Sequence, residues 1–522
     1  LTFLKQYDAK HSDKFGRLLV QSVDGRIKPI DTVSTELLNK IYGNATFEGM
    51  SANQVALSMM SSPGEWQAIP IIKVFHPELK KIIGIPENQK YASFNDFFEK
   101  EGDHGFKLTK YSEEANRKKP ALRNQFDKDV LKVDERVNIC YMVYTGEVFK
   151  MIPKQNDLNK RWFAPQEAVG SFSKQEGDEV RALLGGYFEA IGEGLEKGNW
   201  QNANKAVDKL QSYQEQYGSE IIPSESRIKA EIFFNHAKIF DRLTPVYLLS
   251  GLVLLCFIFA KMVKSTLRIG MVTKIVLGIN FVAFLIHTAG LGLRWYISTH
   301  APWSDGYESM IYIAWAIALA GIFFSRQSVV SLALTSILTG VTLFVAHLSW
   351  MDPQITNLVP VLKSYWLNIH VSVITASYGF LGLCSLLGFF TLILFILRNK
   401  TKTKRNEEID RNIVEATRIN EMAMILGLSL LTVGNFLGGV WANESWGRYW
   451  GWDPKETWAL VSILFYAAVV HFRFIPKLNT PFAFAVASTV TFASIIMTYF
   501  GVNFYLSGMH SYASGEIGRA HV

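Results

Sequence analysis

From about residue 243 to 505 the chain consists of long runs that carry almost no charge. In a bilayer every backbone N–H and C=O must be bonded within the protein, so only helices or closed barrels can cross. A run of roughly 20 apolar residues suffices for one helical crossing. Eight runs qualify, at about 243–263, 271–296, 308–325, 328–348, 367–397, 421–440, 457–475 and 481–505. The expected fold class is a polytopic α-helical membrane protein with about eight transmembrane helices. Residues 1–240 are polar and charged, with short apolar clusters. They are expected to form a mixed, mainly helical N-terminal domain outside the membrane, and residues 241–515 the membrane domain.

Charge sets the expected orientation. Lys261, Lys264, Arg268 and Lys274 surround the first connection, and Arg326 lies in the third. Arg398, Lys400, Lys402, Lys404, Arg405, Arg411 and Arg418 crowd the fifth, and Arg473 and Lys477 lie in the seventh. Basic residues in short loops mark the cytoplasmic side. The loops at 298–307, 349–366 and 441–456 are poor in Lys and Arg and are expected to face out, with the N-terminal domain and the C-terminal tail. In a bacterium this places the chain in the cytoplasmic membrane with those parts in the periplasm. Eight crossings return the chain to the side on which it began.

The net charge of +7 is largely explained by these loops, and no arginine-rich nucleic-acid motif is present. No nucleic-acid partner is expected. The three cysteines, Cys140, Cys256 and Cys384, form no C-x-x-C pair, which argues against a disulfide framework or a zinc site. The absence of C-x-x-C-H means that the chain is not itself a c-type cytochrome. It begins at Leu1 without a signal peptide or a first membrane anchor, and reads as the C-terminal portion of a longer polypeptide. Residues 516–522, EIGRAHV, fit nothing before them and read as a foreign remnant.

Within the N-terminal domain, 176–197 and 199–217 read as a helical pair broken at Gly198. Residues 224–240 place Ile228, Ile232, Phe233, Ile239 and Phe240 on one broad face, an amphipathic helix feeding the first span. Residues 135–151 fit strand or helix equally. No catalytic signature stands out here, and the expected role is partner binding or scaffolding.

Five of the 13 tryptophans fall within 441–458, WANESWGRYWGWDPKETW. Membrane proteins use tryptophan as an interfacial anchor, but Trp441, Trp446, Trp450, Trp452 and Trp458 together make an aromatic shelf for a large flat apolar ligand. Gly447 and Gly451 permit close backbone approach. Asp453 at N-cap, Pro454 at N1 and Glu456 at N3 also make a good helix start. That start would hold the loop rigidly without competing with a ligand role for the aromatics.

Of the 11 histidines, His370 begins the fifth span and His510 follows the last, both at the expected outer face beside the tryptophans. Two neutral imidazoles can ligate a haem iron from its two sides. His471 follows Trp458 by 13 residues, roughly 20 Å along a helix, and falls in the cytoplasmic half of the seventh span. It is a candidate for a second, inner ligand site. Arg294, Arg448 and Lys455 are candidates to pair with ligand carboxylates, although snorkelling at the interface is the more ordinary role for such cations.

The segment WGRYWGWDPKETWAL resembles the WWD signature of haem-handling membrane proteins in cytochrome c maturation. HTAGLGLRWYISTHAPWSDGYES, SYWLNIHV, VVHFR and NFYLSGMHSYA resemble the membrane core of the System II cytochrome c synthase family. GRIKPIDTVSTELLNKI and PSESRIKAEIFFNHAKIF resemble the extracytoplasmic part of its fused-subunit form. The resemblance covers most of the chain. It implies a haem lyase that moves haem b from the inner to the outer face. There, apocytochrome c presents C-x-x-C-H and receives the haem through two thioether bonds. It implies His471 as a ligand at the inner haem site. His370 and His510 are implied as external axial ligands at the reacting haem, against Trp441, Trp446, Trp450, Trp452, Asp453 and Trp458. Thiol-reducing thioredoxin-like proteins are expected partners. The family's other transmembrane histidine lies in an N-terminal membrane region outside this chain, so that region of the same polypeptide is a further expected partner.

Two alternatives share the tryptophan motif or the histidines. One is a transporter or chaperone that delivers haem without forming thioethers. The other is a membrane b-haem electron carrier, which would stack histidine pairs across facing spans.

Overall fold

A computed structural model describes residues 4–99, 105–119, 122–348, 351–358, 362–399 and 404–506. His510 and residues 516–522 lie outside the described residues. The chain divides into two compact units, Leu1–His236 and Ala237–Val522.

The first unit is mainly helical with short two-stranded antiparallel sheets, consistent with its mixed apolar clusters. Its core gathers Phe15, Trp66, Phe97, Val130, Tyr187 and Val207. The predicted helical pair is present as Lys174–Lys197 and Gln201–Gly218, with Gly198 in the left-handed region at φ 68°. The ambiguous stretch resolves as the end of a helix, Gln125–Tyr144, that buries Val130, Val133, Val137 and Cys140 on one face. The GRIKPIDT segment is a latch. Leu19–Gln21 pairs with Ile27–Pro29, and Arg26 meets Glu231 on helix Glu225–Ala237 at 2.5 Å. Asp31 accepts from Asn53 at 2.8 Å and contacts His236 at 3.0 Å. The helix ends at Ala237, and Lys238 takes φ 43° before the next helix begins.

The second unit is a polytopic helical membrane fold. Among the described residues eight helices are long and apolar enough to cross a membrane. The first span is Ile239–Val263. The second to eighth are Gly270–Ser298, Gly306–Phe324, Val329–Ala346, Tyr365–Leu397, Lys404–Trp446, Pro454–Phe474 and Pro481–Gly501. The sixth differs most from expectation. It starts at Lys404, because its charged first part is helical without being apolar, and it continues to Trp446. Trp441 and Trp446 therefore sit on a helix end, not in a loop.

Lipid offers no hydrophobic drive for helix pairing, so close approach and interhelical hydrogen bonds must supply it. A Cβ on Gly251 of the first span would meet the Ala333 carbonyl of the fourth at 2.8 Å. Asn280 of the second span donates to Ser250 at 3.2 Å and accepts from Ser336 at 3.0 Å. Asn420 of the sixth donates to Ser488 of the eighth at 2.9 Å.

Candidate functional site

The fifth and sixth spans pack intimately where the sixth carries Gly434 and Gly438, one helical turn apart. A Cβ on Gly434 would sit 3.1 Å from the Ile374 backbone, and one on Gly438 would sit 2.6 Å from Cε1 of His370. The two glycines thus cut a slot for this imidazole. His370 Nδ1–H donates to the Gly434 carbonyl at 2.7 Å. A carbonyl only accepts, so the proton is on Nδ1 and the lone pair on Nε2, the tautomer that suits a metal ligand.

One turn further along the sixth span, the Trp441 indole lies parallel to the His370 ring, 9° between planes and 6.5 Å between centroids. Trp441 is fully buried. Trp446 packs edge-on against it at 4.8 Å. The helix ends there because Gly447 turns left-handed at φ 71°. The following loop is tied to the seventh span by a complete capping box. Asp453 Oδ1 accepts the Lys455 N–H at 3.0 Å, and Glu456 Oε2 accepts the N–H groups of Gly451 at 2.8 Å and Asp453 at 3.3 Å. Asp453 thus begins the helix as its position predicts. Within the loop Trp452 stands at φ 56°, an uncommon conformation for a bulky residue. Its ring is 71% exposed and meets Trp450 edge-on at 5.7 Å.

These elements line an open cavity that holds about 1180 Å³ of empty space when the solvent at its mouth is counted. His370, Trp441 and Trp450 line it, with Trp303, Lys455 and Tyr499. Trp303 is anchored by its indole N–H to the Asn368 carbonyl at 3.0 Å. Tyr499 belongs to a π-helical turn, Met497–Gly501, whose extra residue turns Tyr499 toward Ser309, 2.7 Å from its hydroxyl. Asp305, in the loop before the third span, also lines the cavity, and burial together with the Glu308 carboxylate pushes its carboxyl upward.

The other candidates fall elsewhere. Trp446 packs on Trp441 and Trp452 on Trp450 without lining the cavity, and Trp458, on the seventh span, does not line it either. Arg448 is exposed and abuts Gly451, whose Cβ would run into the guanidinium. Arg294 is not available to a ligand carboxylate. It is 1% exposed, its Nε donates to Glu308 at 2.8 Å, and its Nη atoms donate to the carbonyls of Pro353 at 2.9 Å and Gln354 at 3.1 Å. His471 closes the seventh helix, is exposed, and its Nδ1–H donates to Ala467 at 2.7 Å, again placing the lone pair on Nε2. His287 is buried with Nε2–H on the Ile311 carbonyl at 3.0 Å. His510 lies outside the described residues.

Sequence reasoning passed over Gly434, Gly438, Asp305 and Tyr499. The four-residue glycine spacing was a readable sign of close helix approach. A π turn leaves no comparable mark.

A polytopic membrane protein with a histidine set against tryptophans in one cavity is the class these features define. A profile of cytochrome C assembly proteins matches residues 303–510, a range that holds every residue lining the cavity. The chain is 46% identical over 506 residues to protein NrfI of Wolinella succinogenes, covering 97% of this chain and 55% of that protein. It spans, then, about half the length of that relative. It is 35% identical over 272 residues to the cytochrome c biogenesis protein CcsA of Guillardia theta, covering 48% of this chain and 88% of that one. A CcsA of Prochlorococcus marinus is 36% identical over 253 residues, 81% of its length. The chain belongs to the CcsA-type cytochrome c biogenesis family.

Proposed function

We propose that this protein is a holocytochrome c synthase, a haem lyase that exports haem b and joins it to the C-x-x-C-H motif of apocytochrome c. The observation that carries the reading is the His370 imidazole, held in one tautomer by Gly434 and set parallel to Trp441 in an open cavity whose wall also carries Trp303 and Trp450. His370 and His510 are the axial ligands of the reacting haem, and Trp450 covers its ring from the loop, with Trp452 edge-on behind it. His471 belongs to an inner site on the route across the membrane. The arriving apocytochrome histidine displaces one axial ligand. Each cysteine thiol then adds across a vinyl group. An S–C bond forms at the inner vinyl carbon, the S–H bond and the vinyl π bond break, and the proton ends on the terminal carbon, with no net oxidation. The protein contributes positioning and exclusion of water, and the haem and thiols carry the chemistry.

The domain plan goes with this reading. Residues 1–240 are a periplasmic domain that docks the apocytochrome, 241–515 handle haem, and the loop and C-terminus face the periplasm of the bacterial cytoplasmic membrane. Thioredoxin-like proteins keep the thiols reduced.

The test is co-expression of the complete protein with a C-x-x-C-H substrate in cells lacking their own maturation pathway. Covalent haem on the substrate, lost in His370→Gly and in His510→Gly, is the expected result. Haem bound to the membrane protein without covalent transfer would favour the delivery reading instead.

A further inference from the structure

The same cavity holds a cation that makes no direct ion pair, with Asp453 as a nearby charge only. Lys455 lines it, and the polar partner of its ammonium is neutral, the Asn503 carboxamide oxygen at 3.3 Å. Among the described residues no carboxylate oxygen lies within 4.0 Å of it. Asp453 Oδ1 accepts the backbone N–H of Lys455, Glu456 Oε2 accepts the N–H groups of Gly451 and Asp453, and Asp305 Oδ1 accepts the N–H of Glu308.

The position is electrostatically unfavourable. Lys455 is the second residue of a 17-residue helix that starts at Pro454. A helix N-terminus carries partial positive charge and favours anions, so a lysine there is repelled. A ligand of opposite charge would offset that repulsion. Asn503 is itself fixed, its carboxamide N–H donating to the Tyr499 carbonyl at 2.6 Å beside the π turn, which points its oxygen at the lysine. The rest of the wall is largely apolar and aromatic, with Leu367, Val371, Ile374, Trp441 and Trp450. Such a chamber fits a flat apolar body with a carboxylate at its edge.

We infer that Lys455, oriented by Asn503, binds a carboxylate of the porphyrin whose iron meets His370, and so sets which edge of the ring faces the seventh span. Arg294 cannot take this role, since its guanidinium is engaged internally. The inference rests on the haem reading above.

Haem and haem dimethyl ester, whose carboxylates are blocked, are titrated into the full chain in detergent and followed by the Soret band. The wild type is expected to bind haem about tenfold more tightly than the ester, the size of one charge-assisted hydrogen bond. Lys455→Gln should abolish that preference while leaving ester affinity unchanged, and Lys455→Arg should keep it. A wild type that does not discriminate, or a Lys455→Gln variant that still does, overturns the role of Lys455 alone. If neither porphyrin binds the wild type, or if His370→Gly leaves the Soret band unaltered, the haem site itself is wrong and the lysine's role goes with it. The wild-type comparison needs no variant to fold.

Discussion

The His370 imidazole and the Trp441 indole lie 9° from parallel on adjacent helices, with the imidazole Nδ1–H donated to Gly434 one turn before Gly438. This arrangement fixes the ring's plane, its tautomer and its depth at once. It requires that the sixth span present no side chain at 434 or 438.

Gly438→Ala tests that requirement. The new Cβ would come within 2.6 Å of the imidazole Cε1. Overpacking of this kind costs about 1–3 kcal/mol, and here the mobile partner is the ring itself. The variant is expected to reach the membrane at near-normal levels with its Soret band shifted or lost. An unchanged spectrum would mean that the ring does not ligate iron in this position.

Trp452 holds φ 56° in the loop while its ring stays largely exposed. A non-glycine residue in this region pays about 1–2 kcal/mol of strain. Trp452→Gly should therefore be more stable than Trp452→Ala by about 1 kcal/mol in thermal unfolding, while both lose haem retention equally. Equal stability of the two variants would show that the loop relaxes and stores no strain.

Arg294 and Glu308 form a buried pair at 2.8 Å, each about 1% exposed. Removing one partner leaves an uncompensated buried charge, at a cost of about 3–5 kcal/mol. Glu308→Ala and Arg294→Ala should each sharply lower the amount of folded protein, and the double variant Arg294→Met, Glu308→Leu should recover part of it. A folded Arg294→Ala protein with selectively weakened haem binding would return this arginine to the ligand.

His11 in the N-terminal unit is buried against Trp200, with Nδ1 on Asn204 at 2.9 Å and Nε2 on the Tyr187 hydroxyl at 3.2 Å. Burial lowers its pKa, against the opposing pull of Asn204 and Asp8. The unfolded chain therefore binds a proton, below about pH 6.5, that the folded unit refuses. Stability is complete above that pH and is lost as pH falls toward the folded value, by up to about 1.4 kcal/mol per pH unit. His11→Gln should flatten this part of the curve when unfolding of the full chain is followed from pH 7 to pH 5.

Legibility differed from residue to residue for physical reasons. The eight spans were readable because a membrane crossing depends on length and apolarity, both local properties. The start of the seventh helix at Asp453, Pro454 and Glu456 was readable because capping acts over four residues. The break at Gly198 was readable for the same reason. The extended sixth helix was not, since its charged first part at Lys404–Asn420 lacks the apolarity that marks a span.

The sequence by itself determined the eight-helix membrane fold, the helix start beneath the tryptophans and the residue types able to hold a flat ligand. Only the tertiary structure decided which of them meet. It set Trp441 rather than Trp446 against His370, closed Arg294 onto Glu308, and brought Lys455 and Asn503 together in the cavity. Those relations join residues far apart in the chain. They depend on how closely two helices approach and where a π turn shifts a face, and neither leaves a local pattern to read.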